Sequence, residues 1–329
     1  ASLKDIQRNL HNEINVSAKE INSILDQIAE LNKQITEIEP NGYMPNDLYD
    51  ARDVLIDELS VYMPVEVSYE KSGGKALAIA EGTATVSMKL PDGTKVELVK
   101  GVERANVNAN FTKKDDTLAP FESLQVTKMK KIVDGPITDY STGQKFEMNE
   151  LPKIGKLSGI VNSYGYVEGG ETKGLYPEHL ANLDKLARNF AKAFNEQHAE
   201  GVPKNKKQSD ENKNFFVMKE GDANAEIDYS QLTAANITVN ANIKNDTSLL
   251  RAASDNNNDG EEGNGANAKA LSDVQHEMLE GLDGSSVQMF FEGMIGDLGV
   301  KGQQAIRNEE NTLTMVESAS FRRSSVISV

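Results

Sequence analysis

Residues 14–38 read INVSAKEINSILDQIAELNKQITEI, and this stretch decides the fold. Isoleucine recurs every seventh residue, at Ile14, Ile21, Ile28 and Ile35. Ala18 and Leu25 fill the alternate seam position, with Asn32 as the polar exception in that series. Ile24, Leu31 and Ile38 add a further parallel row. So wide an apolar face suits packing inside a multi-helix bundle better than the narrow seam of a two-stranded coiled coil. A second reading, compatible with the first, lets part of the stripe contact another subunit. Upstream, Leu3, Ile6 and Leu10 are offset by one residue, which implies a stutter before Ile14. No Gly or Pro occurs before Pro40, so 1–39 is expected to be one helix. Its length would be roughly 55–60 Å at ~1.5 Å per residue.

Working outward, Pro40-Asn41-Gly42 breaks the helix, and Asn46 with Asp47 can cap a second one over 46–62. Its apolar residues are Leu48, Leu55, Ile56 and Leu59, and the short connection favours an antiparallel pair. After Pro64 the period changes to two. Val65–Tyr69 and Ala76–Ala80 flank the hairpin signal Ser72-Gly73-Gly74, and Thr83–Leu90 and Thr94–Val99 flank Pro91-Asp92-Gly93. Val102–Phe111 and Leu124–Met129 continue the β pattern. Pro177 and Gly201 bracket a helix, Glu178–Glu200, with Leu180, Leu183, Ala187, Phe190 and Phe194 on its apolar face. Residues 201–267 are rich in Asn, Lys and Asp, with strand candidates at Phe215–Met218 and Ile237–Ile243 and a loop composition over 254–265. Helices follow at 267–281, from Ser285 (where Ser285-x-x-Gln288 fits a capping box), and at 301–323 with Ala305, Ile306, Leu313 and Val316.

The expected fold class is α+β and multidomain. An elongated helical bundle domain is formed by both chain ends, 1–64 with 268–329, and helix 177–200 is a candidate member. A mainly β domain, 65–176, is inserted, and 201–267 forms a polar, loop-rich β segment.

The chain has 329 residues, with 35 Lys plus Arg against 51 Asp plus Glu, a formal charge of −16. Cys and Trp are absent, and His occurs four times, at His11, His179, His198 and His276. Disulfides, thiolate nucleophiles and Cys-based metal sites are thereby excluded. An acidic chain whose densest basic cluster is Lys204 to Lys207 points away from nucleic acid as a partner. No apolar run approaches the roughly 18 residues a membrane-crossing helix needs, so no membrane partner is expected. The chain begins inside a helical pattern and without Met, from which a fragment or a processed product is expected.

Two stretches come near to metal chemistry. Asp255-x-Asn257-x-Asp259-Gly260 copies the first half of a calcium loop, but its twelfth position is Ala266, where a bidentate Glu is required. His276-Glu277-x-x-Glu280 resembles the zinc-protease pattern His-Glu-x-x-His without its second imidazole. The glycines at Gly169-Gly170 and around Gly299 and Gly302 form neither a Walker loop nor a dinucleotide fingerprint, and no Gly-x-Ser-x-Gly elbow is present. Arg322-Arg323 most simply complements a helix dipole. No catalytic, cofactor-binding or metal residue is therefore assigned, and no cofactor is expected. The alternatives are a metal-dependent hydrolase using His276 and Glu277, and a calcium-dependent adhesive module using Asp255 and Asp259.

The order of segments resembles the FlgK family of flagellar hook-associated proteins, which join hook to filament. The residues that carry the resemblance begin with Ile24-Leu-Asp-Gln-Ile-Ala-Glu-Leu-Asn-Lys-Gln-Ile35 and Pro45-Asn-Asp-Leu-Tyr-Asp-Ala-Arg-Asp-Val-Leu-Ile-Asp-Glu-Leu-Ser60. They continue with Gly155-Lys-Leu-Ser-Gly159, Leu180-Ala-Asn-Leu-Asp-Lys-Leu-Ala-Arg188, Phe194-Asn-Glu-Gln-His198, Gly296-Asp-Leu-Gly-Val300 and Arg322-Arg-Ser-Ser-Val-Ile-Ser-Val329. Residues 82–150 depart from the family pattern and are expected to be an insertion. The resemblance implies a structural, non-catalytic subunit of the extracellular flagellum, exported through the type III apparatus. The partners it implies are the hook protein, a neighbouring hook-associated junction protein, copies of itself, and an export chaperone bound by terminal segments. It also implies that both terminal segments are missing here, which leaves a monomer in solution as the expectation.

Overall fold

The computed structural model describes residues 3–204, 212–219, 226–254, 263–301 and 303. They group into two compact units: the first runs to Pro177 and takes in Lys301, and the second is Glu178–Val300.

In the first unit the opening helix is α1 (Leu3–Ile38), and α2 (Asn46–Tyr62) follows the Pro40–Gly42 turn. The heptad rows of α1 do what their pattern requires: Ile14, Ile21, Leu25, Ile28 and Ile35 are fully buried. Among the described residues, ten strands and one helix complete the unit. They are β1 (Val65–Glu70), β2 (Thr83–Lys89), β3 (Lys95–Lys100), β4 (Glu103–Arg104), β5 (Val107–Phe111), β6 (Phe121–Thr127), β7 (Lys130–Lys131), β8 (Gly143–Phe146), α3 (Lys156–Tyr164), β9 (Tyr166–Glu168) and β10 (Glu171–Lys173). One sheet runs β1-β2-β3-β4-β7 and is antiparallel throughout. The other runs β10-β9-β6-β5, with β8 also on β6 and a parallel contact between β6 and β9.

The width of the apolar stripe matches what it covers. Ile14 to Ala29 of α1 share one core with Ile56 and Leu59 of α2, with Ala84, Val86, Met88, Leu98, Val107, Phe121 and Leu124 of the two sheets, and with Val161 and Tyr164 of α3. The boundary expected at 64/65 is thus a change of secondary structure within one core.

Local differences from the sequence reading have local causes. Ala76–Ala80 is not a strand; β1 pairs with β2 across the whole of 71–82. The Lys71 ammonium binds the carbonyls of Ala78 and Ala80, which would otherwise feed a ladder. Val102–Phe111 breaks because β4 and β5 belong to different sheets. Neither Asn46 nor Asp47 caps α2; Pro45 stands at its N-cap and accepts from Leu48 N and Tyr49 N. Helix α3 was not anticipated, while the turn at Pro91-Asp92-Gly93 forms as expected, with Thr94 N on Asp92 Oδ1 at 2.8 Å.

The second unit is carried by α4 (Leu175–Glu200), with Pro177 in its first turn and Gly201 just past its end. Short elements follow it: β11 (Gly201–Val202), β12 (Phe216–Met218), β13 (Ile237–Val239), α5 (Ala241–Asn245), β14 (Ala253–Ser254), α6 (Ala266–Asp273) and a helix α7 over 287–301. β11 pairs with β14, and β12 with β13. The strand expected over Ile237–Ile243 stops at Val239 because Asn240 caps α5, its side chain accepting from Asn242 N at 2.9 Å. The helix expected over 267–281 ends at Asp273 and gives way to 3-10 turns at Val274–His276 and Glu280–Leu282. Helix α7 is capped by Ser286, whose Oγ accepts from Met289 N at 3.2 Å, while Ser285 bridges Leu279. The helix expected over 301–323, with Arg322 and Arg323, lies outside the described residues apart from 301 and 303.

Candidate functional site

Helix α1 sets polar side chains into its own apolar face, and three of them, Gln7, Asn22 and Asn32, bind backbone. Gln7 Nε2 donates to Tyr164 O at the end of α3, at 3.0 Å. Asn22 holds both groups of Val107: its Nδ2 donates to the carbonyl at 2.9 Å and its Oδ1 accepts from the amide at 2.7 Å. Val107 opens β5, an edge of its sheet, so the carboxamide stands in for a missing strand. Asn32 repeats the arrangement on β2, with Nδ2 to Ala84 O and Ala84 N to Oδ1, both at 2.9 Å. β3 ends at Lys100, opposite Thr85, and Asn32 takes over at the next position of β2 while also binding Gly101 O at 2.9 Å. Between the two, Asp26 accepts from Arg104 Nε at 2.6 Å.

The turn end of α1 and α2 holds a buried charged cluster. Arg52 is fully buried and donates to Gly82 O at 2.7 Å, to Glu81 Oε2 and to Asn32 Oδ1 at 3.3 Å. Its guanidinium also lies over the Tyr49 and Tyr69 rings, at 5.4 and 4.9 Å. Glu39, equally buried, accepts from the Tyr49 hydroxyl and from Gly82 N at 2.9 Å. Burial works to raise the Glu39 pKa, but the nearby Ser72 hydroxyl, the hydrogen bonds from Tyr49 and Gly82 and the charge of Arg52 outweigh it and hold the carboxyl below its usual range. Glu81 goes the other way. Burial dominates, the nearby Asp53 and Glu39 charges add to it, and Arg52 offsets them only in part.

The second unit has its own polar knot. Asn195 Oδ1 accepts from Phe215 N and Phe216 N at 2.9 and 2.8 Å, and its Nδ2 donates to Phe216 O and to the Tyr229 hydroxyl. One turn on, buried His198 bonds Lys213 O through Nδ1 at 2.7 Å and accepts from Arg251 N through Nε2 at 3.2 Å. That pairing assigns the neutral tautomer with its proton on Nδ1. Burial pushes the imidazole below its usual pKa, against the Lys213 bond and with the Arg251 charge. Arg251 Nε donates to Gly201 O, and Asn267 Nδ2 to Arg251 O, which fastens α4 to β14 and α6.

These clusters position backbone and offer no reacting centre. His276, Glu277 and Glu280 are exposed and sit on 3-10 turns and their caps, where the i, i+4 geometry of a zinc helix does not exist. Among the described residues, no group of three or more His, Asp or Glu side chains could hold a metal. Asp255 and Asp259 lie outside the described residues. Likewise, no helix among the described residues is long and apolar enough to cross a membrane. An open groove of about 740 Å³ lies between the sheets, lined by hydroxyls of Ser68, Thr85, Ser87 and Thr127 with Lys95 and Lys128. In the sequence Asn32 stands out only as a flaw in the heptad, and Asn22, Arg52 and Asn195 belong to no chemical motif. A polar residue recurring on the apolar face of a long helix was the available signal.

Residues 1–216 match a family model described as the flagellar hook-associated protein FlgK helical domain. A curated relative, flagellar hook-associated protein 1 of Bacillus subtilis, is 35% identical over 337 aligned residues, covering 100% of this chain and 60% of the relative. The Escherichia coli protein of the same name is 28% identical over 66% of this chain and 33% of its own length. A solved structure, the flagellar hook junction protein FlgK from Burkholderia pseudomallei, aligns with a TM-score of 0.47 at 20% identity, covering 66% of this chain and 32% of that one. The chain thus spans less than two thirds of the length of the relatives it matches.

Proposed function

The chain belongs to the FlgK family of flagellar hook-associated proteins, and we propose that it serves as a structural subunit joining hook to filament in the bacterial flagellum. The observation that carries this reading is the family match over residues 1–216 together with 35% identity along the full chain. The internal design supports it. Carboxamides on α1 fix it against strand backbones, and the buried Arg52 ties α2 to the 71–82 loop, which suits a part that transmits load and performs no catalysis. In this proposal its partners are the hook protein, a neighbouring hook-associated junction protein and copies of itself. The full-length protein is exported through the type III apparatus with a chaperone and works outside the cell.

Deleting the full-length gene tests it. Cells should build hooks, lose attached filaments and lose motility, and the intact gene should restore both. Filaments attached normally to hooks in the deletion strain would overturn the reading.

A further inference from the structure

The loop over 71–82 puts aliphatic side chains where a solvent loop has no use for them. Ile79 is 73% exposed and Leu77 44% exposed. Yet the loop is tied down along its length. Glu81 and Gly82 O bind the buried Arg52, Gly82 N binds Glu39, Lys75 N donates to Pro40 O at 3.1 Å, and the Lys71 ammonium grips Ala78 O and Ala80 O. Holding a loop with buried charges costs desolvation and gives position in return. With Glu81 turned toward Arg52, the exposed charges of the loop are Lys71 and Lys75, so its tip is apolar and basic.

A surface of opposite character lies on the same chain. Val54 on α2 is 65% exposed. Helix geometry places Asp47, Asp50, Ala51 and Glu58 within about 60° of it around the axis, and all four are exposed. That face is apolar at its centre and acidic at its rim. Arg52, which anchors the loop, points about 160° away from Val54 around α2. A chain therefore cannot seat its own loop on its own acidic face.

We propose that the loop tip, Lys75 with Leu77 and Ile79, docks on the Val54 face of α2 in a second copy of this chain. The inference rests on the reading that copies assemble with one another, and it names the surface. The contact is heterologous, one patch against a different one, so repetition generates a ring or an open helix instead of a closed pair. Two aliphatic side chains and a few charges make a small interface, weak for an isolated pair and effective where neighbours are held together.

The absence of cysteine makes the test clean. Two variants of the full chain, Ile79→Cys and Val54→Cys, carry tags of different length and are mixed at high concentration under mild oxidation. The mixed disulfide dimer should exceed either same-variant dimer by about tenfold. Adding Lys75→Glu to the first variant should reduce it by a similar factor, and adding Asp50→Lys to the second should restore it. Equal yields of the three dimers, or no rescue by the charge swap, would overturn the proposal. Sedimentation of the parent chain separates the two levels. Self-association without the mixed cross-link removes this surface and leaves the assembly reading standing, whereas filaments that attach without the full-length gene remove the junction reading itself.

Discussion

Replacing Asn32 with leucine divides two accounts of helix α1. As a polar intruder in a heptad series, Asn32 weakens an apolar seam, and Asn32→Leu should stabilise the protein. The structure demands the opposite sign. Asn32 is fully buried and supplies the partners of Ala84 N and Ala84 O at 2.9 Å and of Gly101 O at 2.9 Å. Leucine leaves these groups without partners, at about 1–3 kcal/mol for each one that water cannot reach. Counting the two on Ala84 gives a loss of about 2–6 kcal/mol, from which added apolar burial returns no more than about 1–2 kcal/mol. A net loss near 3 kcal/mol should lower the melting temperature of the first unit by roughly 6–12 °C. Denaturant titration should show a lower midpoint at unchanged slope, and amide exchange should show Ala84 and its neighbours on β2 losing protection. Asn32→Asp keeps an acceptor for Ala84 N and Arg52 but sets its second oxygen against the Ala84 and Gly101 carbonyls, so it should destabilise as well. An Asn32→Leu variant as stable as the parent would refute the backbone-clip account.

The same reasoning reaches other positions. Asn22→Ala removes the equivalent clip from Val107, but this site is only half-buried, so the loss should be smaller, about 1–2 kcal/mol by denaturant midpoint. Gly82 sits at φ 82°, and a Cβ there would lie 1.9 Å from Glu70 O; Gly82→Ala should cost about 2–4 kcal/mol and free the 71–82 loop to proteolysis. His198 has a folded pKa below its unfolded value. Its contribution is complete above about pH 6.5 and is lost as the pH falls from there through the folded pKa, because the unfolded chain then binds the extra proton. His198→Gln should flatten that slope in the second unit, read from exchange of the Arg251 amide. Alanine at His276 and Glu277 together should change neither stability nor zinc uptake measured by calorimetry, since both side chains are exposed and lack a third ligand among the described residues.

The isoleucine rows were legible because a seven-residue repeat needs only neighbours to be read, and burial of Ile14 through Ile35 follows from it directly. What they pack against was not legible. The strands that meet α1 begin after residue 64, and the interruption between β4 and β5 comes from a change of sheet, which alternation along one strand cannot report. The 3-10 turns after Asp273 escaped for a related reason: local helix propensity says where a helix can run, and packing decides where it stops.

Asn32 shows why the candidate site was hardest to see. Its partners lie 52 and 69 residues away, so nothing within a helical window distinguishes a tolerated defect from a designed contact. A carboxamide carries a donor and an acceptor side by side, like one peptide unit of a strand. On an apolar helix face that meets a sheet edge, it can continue the ladder where a neighbouring strand ends, as it does past Lys100. A glutamate or lysine at the same place could satisfy only one side of the pair. The identity of the exception, asparagine at both 22 and 32 and ten residues apart on one helix, therefore carried information that its mere polarity did not. Helices that lie across sheet edges should be read for carboxamides in the seam before those residues are counted against the core.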